Sequence, residues 1–226
     1  PGIVEVLRLA MAMVATGDAL CIPGNHEMKL VRKLSGRNVN VSYGLAETLA
    51  QLDALPNGER ESFAASVRAF LDGLVSHYWL DGGKLVVAHA GLRAEMHGRG
   101  SAAVREFAMY GETTGETDEF GLPVRFDWAS EYRGDAVVVY GHTPVPRAEW
   151  VNRTICIDTG CVYGGALTAL RYPELETVSV PAARTYVEPA RPLVPPATAG
   201  APDANAPATA QQQADDVLDL DDVTGK

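Results

Sequence analysis

Gly24-Asn25-His26-Glu27, reached from the apolar run Ala19-Leu20-Cys21-Ile22 through Pro23, is the stretch on which the reading of this chain turns. A strand–loop–helix passage is expected here, with Ala19–Ile22 as a buried strand and a short helix from about Glu27 to Leu34. Glycine lets backbone approach a ligand closely. An amide oxygen beside an imidazole suits a site where one residue holds a divalent metal and its neighbour handles protons.

Three later stretches repeat the design: Val87-Ala88-His89-Ala90-Gly91-Leu92, Tyr140-Gly141-His142-Thr143-Pro144 and Ile157-Asp158-Thr159-Gly160. Each puts a metal-competent residue at the C-terminal end of an apolar run, where open α/β folds build their sites. Strands and helices interleave up to about residue 110. Consecutive strands follow, at Ala136–Tyr140, Thr154–Asp158, Leu167–Arg171 and Thr177–Val180. The remaining expected elements are an amphipathic helix over 2–15 packed on a sheet, helices over Leu45–Leu52, Glu59–Leu74 and Arg105–Tyr110, and a hairpin joining Trp79–Leu80 to Leu85–Ala88. Glu112–Arg125 lacks periodicity and reads as an insertion rich in Gly and acidic residues.

On Gly24–Arg37, Tyr110–Arg125 and Gly141–Pro146, the chain resembles the binuclear metallophosphoesterase (calcineurin-like) superfamily. More closely, it resembles the central phosphatase domain of bacterial RNA-repair polynucleotide kinase-phosphatases. The resemblance implies an α/β fold, the αββα sandwich of that superfamily, over residues 1–185. It implies that Asn25, His89 and His142 are metal ligands, that His26 is the catalytic histidine and that Asp158 is a further site aspartate. Arg93, Arg99 and Arg105 follow His89 in a Gly-rich loop and are candidates for substrate binding, against the plainer reading of a solvated basic loop.

The family pattern opens with Asp-x-His and Gly-Asp-x-x-Asp-Arg-Gly motifs, and residues 1–226 contain neither. The resemblance therefore implies a domain truncated at its N-terminus. It would use two divalent ions when intact (Mn²⁺ or Ni²⁺, with Mg²⁺ or Co²⁺ as alternatives) and hold at most one weakly as it stands. The implied activity is hydrolysis of 2′/3′-phosphates and 2′,3′-cyclic phosphates on RNA ends. RNA 3′ ends would be its substrate, and kinase and ligase-like domains of the same polypeptide its partners. The alternatives are a diadenosine tetraphosphatase or Ser/Thr protein phosphatase of the same superfamily, and a non-catalytic connector.

Composition frames these readings. With 226 residues, 46% of them hydrophobic, the chain can bury one sizeable core. The net charge of −10 disfavours broad non-specific nucleic-acid binding, although residues 181–226 alone carry seven acids against three bases. Cys21, Cys156 and Cys161 have no metal-ribbon spacing and read as small hydrophobes of a reducing, cytoplasmic setting. No apolar run approaches membrane-spanning length, so no membrane partner is expected. Seven of the 14 prolines fall between Pro181 and Pro207. Residues 186–214 are accordingly expected to be a disordered linker, and 215–226 the start of a following, ligase-like domain.

Overall fold

The computed structural model describes residues 2–41, 43–191 and 193, which form two compact units divided after Ser76. Most of the expected linker, and all of the element expected at 215–226, lie outside the described residues.

The first unit is helical: α1 (Ile3–Thr16), α2 (Asn25–Leu34), α3 (Tyr43–Asp53) and α4 (Asn57–Asp72). Val4, Leu30, Val31, Leu45, Leu52, Phe63, Val67 and Leu71 interlock as its core. Within this unit α1 lies against α3 and α4, helix on helix, where packing on a sheet was expected. Its Val4, Leu7 and Met11 face that core, while Val6, Leu9 and Met13 form an exposed apolar stripe. Gly17 ends α1 at φ 80°, and the N–H of Asp18 returns to the carbonyl of Met13 at 2.9 Å, a left-handed cap that suits glycine. Ala19–Ile22 is not the strand its apolar character suggested. The N–H of Ala19 is tied back to Met13, and Leu20 is 60% exposed, so the run joins no ladder.

The second unit begins with β1 (His77–Leu80) and β2 (Leu85–Ala88), joined by the tight turn at Asp81–Gly83. Helix α5 (Ala102–Tyr110) and the hairpin of β3 (Thr113–Thr117) and β4 (Pro123–Arg125) follow. Next come the short α6 (Trp128–Glu131), β5 (Val137–Tyr140), β6 (Trp150–Val151) and β7 (Thr154–Cys156). The unit closes with β8 (Asp158–Thr159), β9 (Ala166–Arg171) and β10 (Glu176–Pro181).

A five-stranded sheet has the order β1-β2-β5-β7-β6, with β2, β5 and β7 parallel at its centre. These three strands are Val- and Ile-rich, as parallel strands covered on both faces must be. On one face Val86 and Val138 pack with Leu92, Phe107 and Trp128; on the other Val137, Val139 and Ile155 meet Leu170 of the second sheet.

That second sheet, β10-β9-β8, is antiparallel, and its buried Thr159 and Thr168 and exposed Ser179 share a chain of hydroxyl hydrogen bonds of 2.7 Å each. The continuous strand expected over Thr154–Asp158 changes sheets: β7 pairs with β5, and β8 pairs with β9. The stretch read as an insertion without periodicity is the β3–β4 hairpin. Its strands are half-exposed or exposed, so no apolar alternation marks them, and its turn is organised by Asp118. The Asp118 carboxylate accepts from the N–H groups of Phe120 (3.0 Å) and Leu122 (2.8 Å). Among the described residues no helix is long and apolar enough to cross a membrane.

Candidate active site

The parallel strands β2, β5 and β7 end side by side, so the residues just beyond them are neighbours by construction. His89 follows β2, Gly141-His142 follows β5, and Asp158 lies two residues beyond the end of β7. The backbone continues to pair past the strand ends: the N–H of Gly141 donates to His89 O at 2.8 Å, and that of Ile157 to Tyr140 O at 2.8 Å. Three of the expected site residues are thereby gathered at the carboxyl edge of one sheet, where open parallel sheets bind ligands.

His89 Nε2 and His142 Nδ1 stand 3.0 Å apart, with ring centroids at 4.8 Å and planes inclined at 63°. The backbone at His142 is bent to make this possible. The N–H of Thr143 donates to Gly141 O at 2.9 Å across a three-residue turn whose central residue, His142, has φ 73°. That is the strained form of the γ-turn, a conformation that persists where surrounding structure enforces it.

Asp158 is placed by several contacts. Its carbonyl accepts from Val145 N–H at 2.9 Å and its carboxylate from Gly160 N–H at 3.1 Å. A Cβ on Gly141 would fall 3.1 Å from the Asp158 Cβ, so glycine is what allows the two loops to close on each other.

The floor beneath these groups is apolar. Burial pushes the Tyr140 phenol up to about 12 and the Cys156 thiol up to about 11, so both are neutral around pH 7. Trp128 fills the space under Gly91 so closely that a Cβ there would sit 2.0 Å from its Cζ2. The same indole meets Tyr140 edge to face at 5.0 Å.

Asn25 and His26 belong to the first unit. Helix α2 starts two residues earlier than expected, so they occupy its first turn and not a loop ahead of it. Glu27 fixes that start, its carboxylate accepting the N–H of Gly24 at 2.8 Å. Asn25 is 3% exposed, whereas the imidazole of His26 is accessible.

The three arginines part company. Arg93 pairs with Glu112 and holds its guanidinium 5.3 Å from the ring centres of both Phe107 and Phe126. Arg99 is exposed in the loop, and Arg105 is half-buried on α5. Of the two histidines that carried no motif, His77 is paired in register with Ala88, the residue before His89, and His97 Nε2 lies 3.4 Å from Leu92 O.

Sequence reasoning missed Arg125, Tyr110 and Trp128. All three line a recess of about 230 Å³ that opens beside His142, and Arg125 donates to the Tyr110 carbonyl. The Tyr110–Arg125 block was conspicuous, yet nothing in its composition said that its two ends meet.

A metal ion suits part of this arrangement. Two imidazoles with ring nitrogens 3.0 Å apart are donors of the kind first-row divalent ions favour. Among the described residues, however, no group of three or more His, Cys, Asp or Glu is placed to hold an ion.

No protein-family model matches the chain. Curated relatives do. It is 49% identical over 187 residues to the bis(5′-nucleosyl)-tetraphosphatase PrpE [asymmetrical] of Geobacillus thermodenitrificans (strain NG80-2), covering 83% of the chain and 76% of that protein. It is 46% identical over 188 residues to the protein of the same name from Bacillus subtilis (strain 168), covering 83% and 77%. A crystal structure assigned as a diadenosine tetraphosphatase superposes with a TM-score of 0.52 at 27% identity, over 78% of this chain and 72% of that one.

Fold and relatives together define a phosphoesterase, a hydrolytic enzyme of mixed α/β architecture. More narrowly, the chain belongs to the bis(5′-nucleosyl)-tetraphosphatase PrpE family.

Proposed function

We propose that this chain carries the hydrolytic site of an asymmetrical dinucleoside tetraphosphatase. The observation that carries the reading is its 49% identity over 187 residues to an enzyme of that name. The paired His89 and His142 at the carboxyl edge of a parallel sheet support it.

Asymmetrical hydrolysis joins a water oxygen to the phosphorus next to one nucleoside and breaks the P–O bond to the bridging oxygen. The electron pair leaves with a nucleoside triphosphate, and a nucleoside monophosphate remains. His26 is the group that gives a proton to the departing oxygen, and its exposure on the first turn of α2 suits that task. His89 and His142 are the residues that would hold a divalent ion, which when bound would stabilise charge on the phosphoryl oxygens, and Asn25 stands as a candidate ligand on its sequence motif. Asp158, anchored through its own backbone, positions the His142 turn. Arg99 and Arg105 stand as candidate contacts to the phosphate chain.

The RNA-end reading, with kinase and ligase-like neighbours on one polypeptide, is the second reading. It rests on the Tyr110–Arg125 block. The relatives above bear the tetraphosphatase name, which favours the first.

The test is product analysis with the native gene product containing residues 1–226, in Mn²⁺, on diadenosine tetraphosphate and on an RNA 3′-phosphate. AMP and ATP in equal amounts are expected. Two equivalents of ADP, or turnover confined to the RNA, would reject the reading. Asn25→Ala, His89→Ala and His142→Ala should abolish turnover. His26→Ala should lose about 10²–10⁴-fold in rate, the range of one acid–base group.

A further inference from the structure

Beside the recess at His142 lies a second cleft, of about 280 Å³, and the two share Tyr110, Gly111, Glu112 and Arg125. The shared residues form a partition with one site on each side. The second cleft has a composition unlike that of a phosphate pocket. Met96, Phe107 and Pro123 give it apolar walls, while Glu106 and Glu112 set carboxylates among them. Arg93 is paired with Glu112, so within the cleft the two charges offset each other, while Glu106 offers an acceptor to the exocyclic amine of a purine. Arg93 also lines the cleft, its guanidinium 5.3 Å from the ring centres of Phe107 and Phe126, and guanidinium groups pack on flat π-systems.

We infer that this cleft is the nucleoside subsite for one half of a dinucleoside polyphosphate. The base lies among Met96, Phe107 and Arg93, and Arg125 meets the phosphate chain where it crosses the partition toward His142. The inference rests on the tetraphosphatase reading and adds to it a location for the base and a residue that selects nucleotides over simple phosphate esters. Arg125 is a specificity residue here, because a charge at the crossing point is used only by a substrate long enough to occupy both sides.

Ala103, exposed in the first turn of α5, lines the second cleft and not the first, so Ala103→Trp fills the nucleoside side and leaves the His142 recess alone. The first measurement is fluorescence titration of the native gene product with N-methylanthraniloyl-ATP in EDTA, which needs no metal and no turnover. Ala103→Trp and Arg125→Lys should each weaken binding at least about tenfold while melting within a few degrees of the parent. In Mn²⁺ both should raise KM for diadenosine tetraphosphate about tenfold, and Ala103→Trp should leave kcat/KM for p-nitrophenyl phosphate unchanged. Parent-like nucleotide affinity in Ala103→Trp overturns the subsite. So does an equal loss on both substrates in Arg125→Lys, which would make Arg125 a general structural support. An enzyme that cleaves p-nitrophenyl phosphate and never the dinucleotide overturns the tetraphosphatase reading itself, and is told apart by the parent protein alone.

Discussion

His142 combines two properties that rarely coincide, a side chain paired with His89 and a backbone at φ 73°. For a non-glycine residue, the left-handed side of φ costs about 1–2 kcal/mol. Replacing His142 by Gly and by Ala therefore separates the two properties. Both variants lose the imidazole, but only Gly relieves the backbone. Urea unfolding should find His142→Gly more stable than His142→Ala by about 1 kcal/mol; equal midpoints would mean the turn is unstrained. Either variant should also abolish whatever Mn²⁺ binding calorimetry detects in the parent, since half of the imidazole pair is gone. Retention of that binding would detach His142 from the metal. The gathering of His89, His142 and Asp158 at one sheet edge was legible as sequence because each ends or follows an apolar run, and chain direction then fixes where strand ends can meet. Arg125 was not legible, because its importance comes from a partition assembled by chain segments 15 residues apart, from Tyr110 to Arg125, which no local pattern records.

At the scale of elements, the helices and the central strands followed their periodicity to within a few residues. Apolar spacing is a property of one element against one face. Two expectations failed for the same reason seen from opposite sides. Ala19–Ile22 looked like a strand because it is apolar, but a strand also needs a neighbour, and its N-terminal residue is occupied in capping α1. Glu112–Arg125 showed no periodicity because its strands are largely exposed, yet it pairs with itself around the Asp118 turn.

The loop after β2 is packed so tightly on Trp128 that Gly91→Ala should destabilise by about 1–3 kcal/mol, with a shift in tryptophan emission. An unchanged melting temperature would mean that α6 gives way freely. Burial lowers the pKa of His97 against the raising effects of the Leu92 carbonyl and Glu95, and burial together with the charge of His97 lowers that of His77. Both imidazoles are thus harder to protonate folded than unfolded, where their ordinary value is about 6.5. The unfolded chain takes up more protons as pH falls below that value, so stability should drop with acidification and level off once the folded forms are also charged. Melts between pH 7.5 and 5 should show a shallower decline for His97→Gln than for the parent; parallel declines would clear His97 of the effect.

For the whole molecule, the division after Ser76 gives each unit its own core and, by chance of composition, its own spectroscopic signature. Trp79, Trp128 and Trp150 all lie in the second unit, while the first is built of four helices. Leu71→Ala opens a cavity in the first core and should cost about 2–5 kcal/mol there. If the units melt independently, the circular dichroism transition at 222 nm moves down and the tryptophan transition stays. If both move together, the chain unfolds as one cooperative body.

The handover of one strand from the first sheet of the second unit to the other, at Ile157, bears on how this family can vary. Side chains alternate faces along a strand, so an added or lost residue between Thr154 and Thr159 would turn Asp158 away from Gly141 and expose Ile155 or Thr159 in its place. The loop at 160–165 carries no such constraint from two ladders at once. Length changes among relatives should therefore collect after Thr159, leaving the six residues from Thr154 to Thr159 as a fixed ruler between the two sheets.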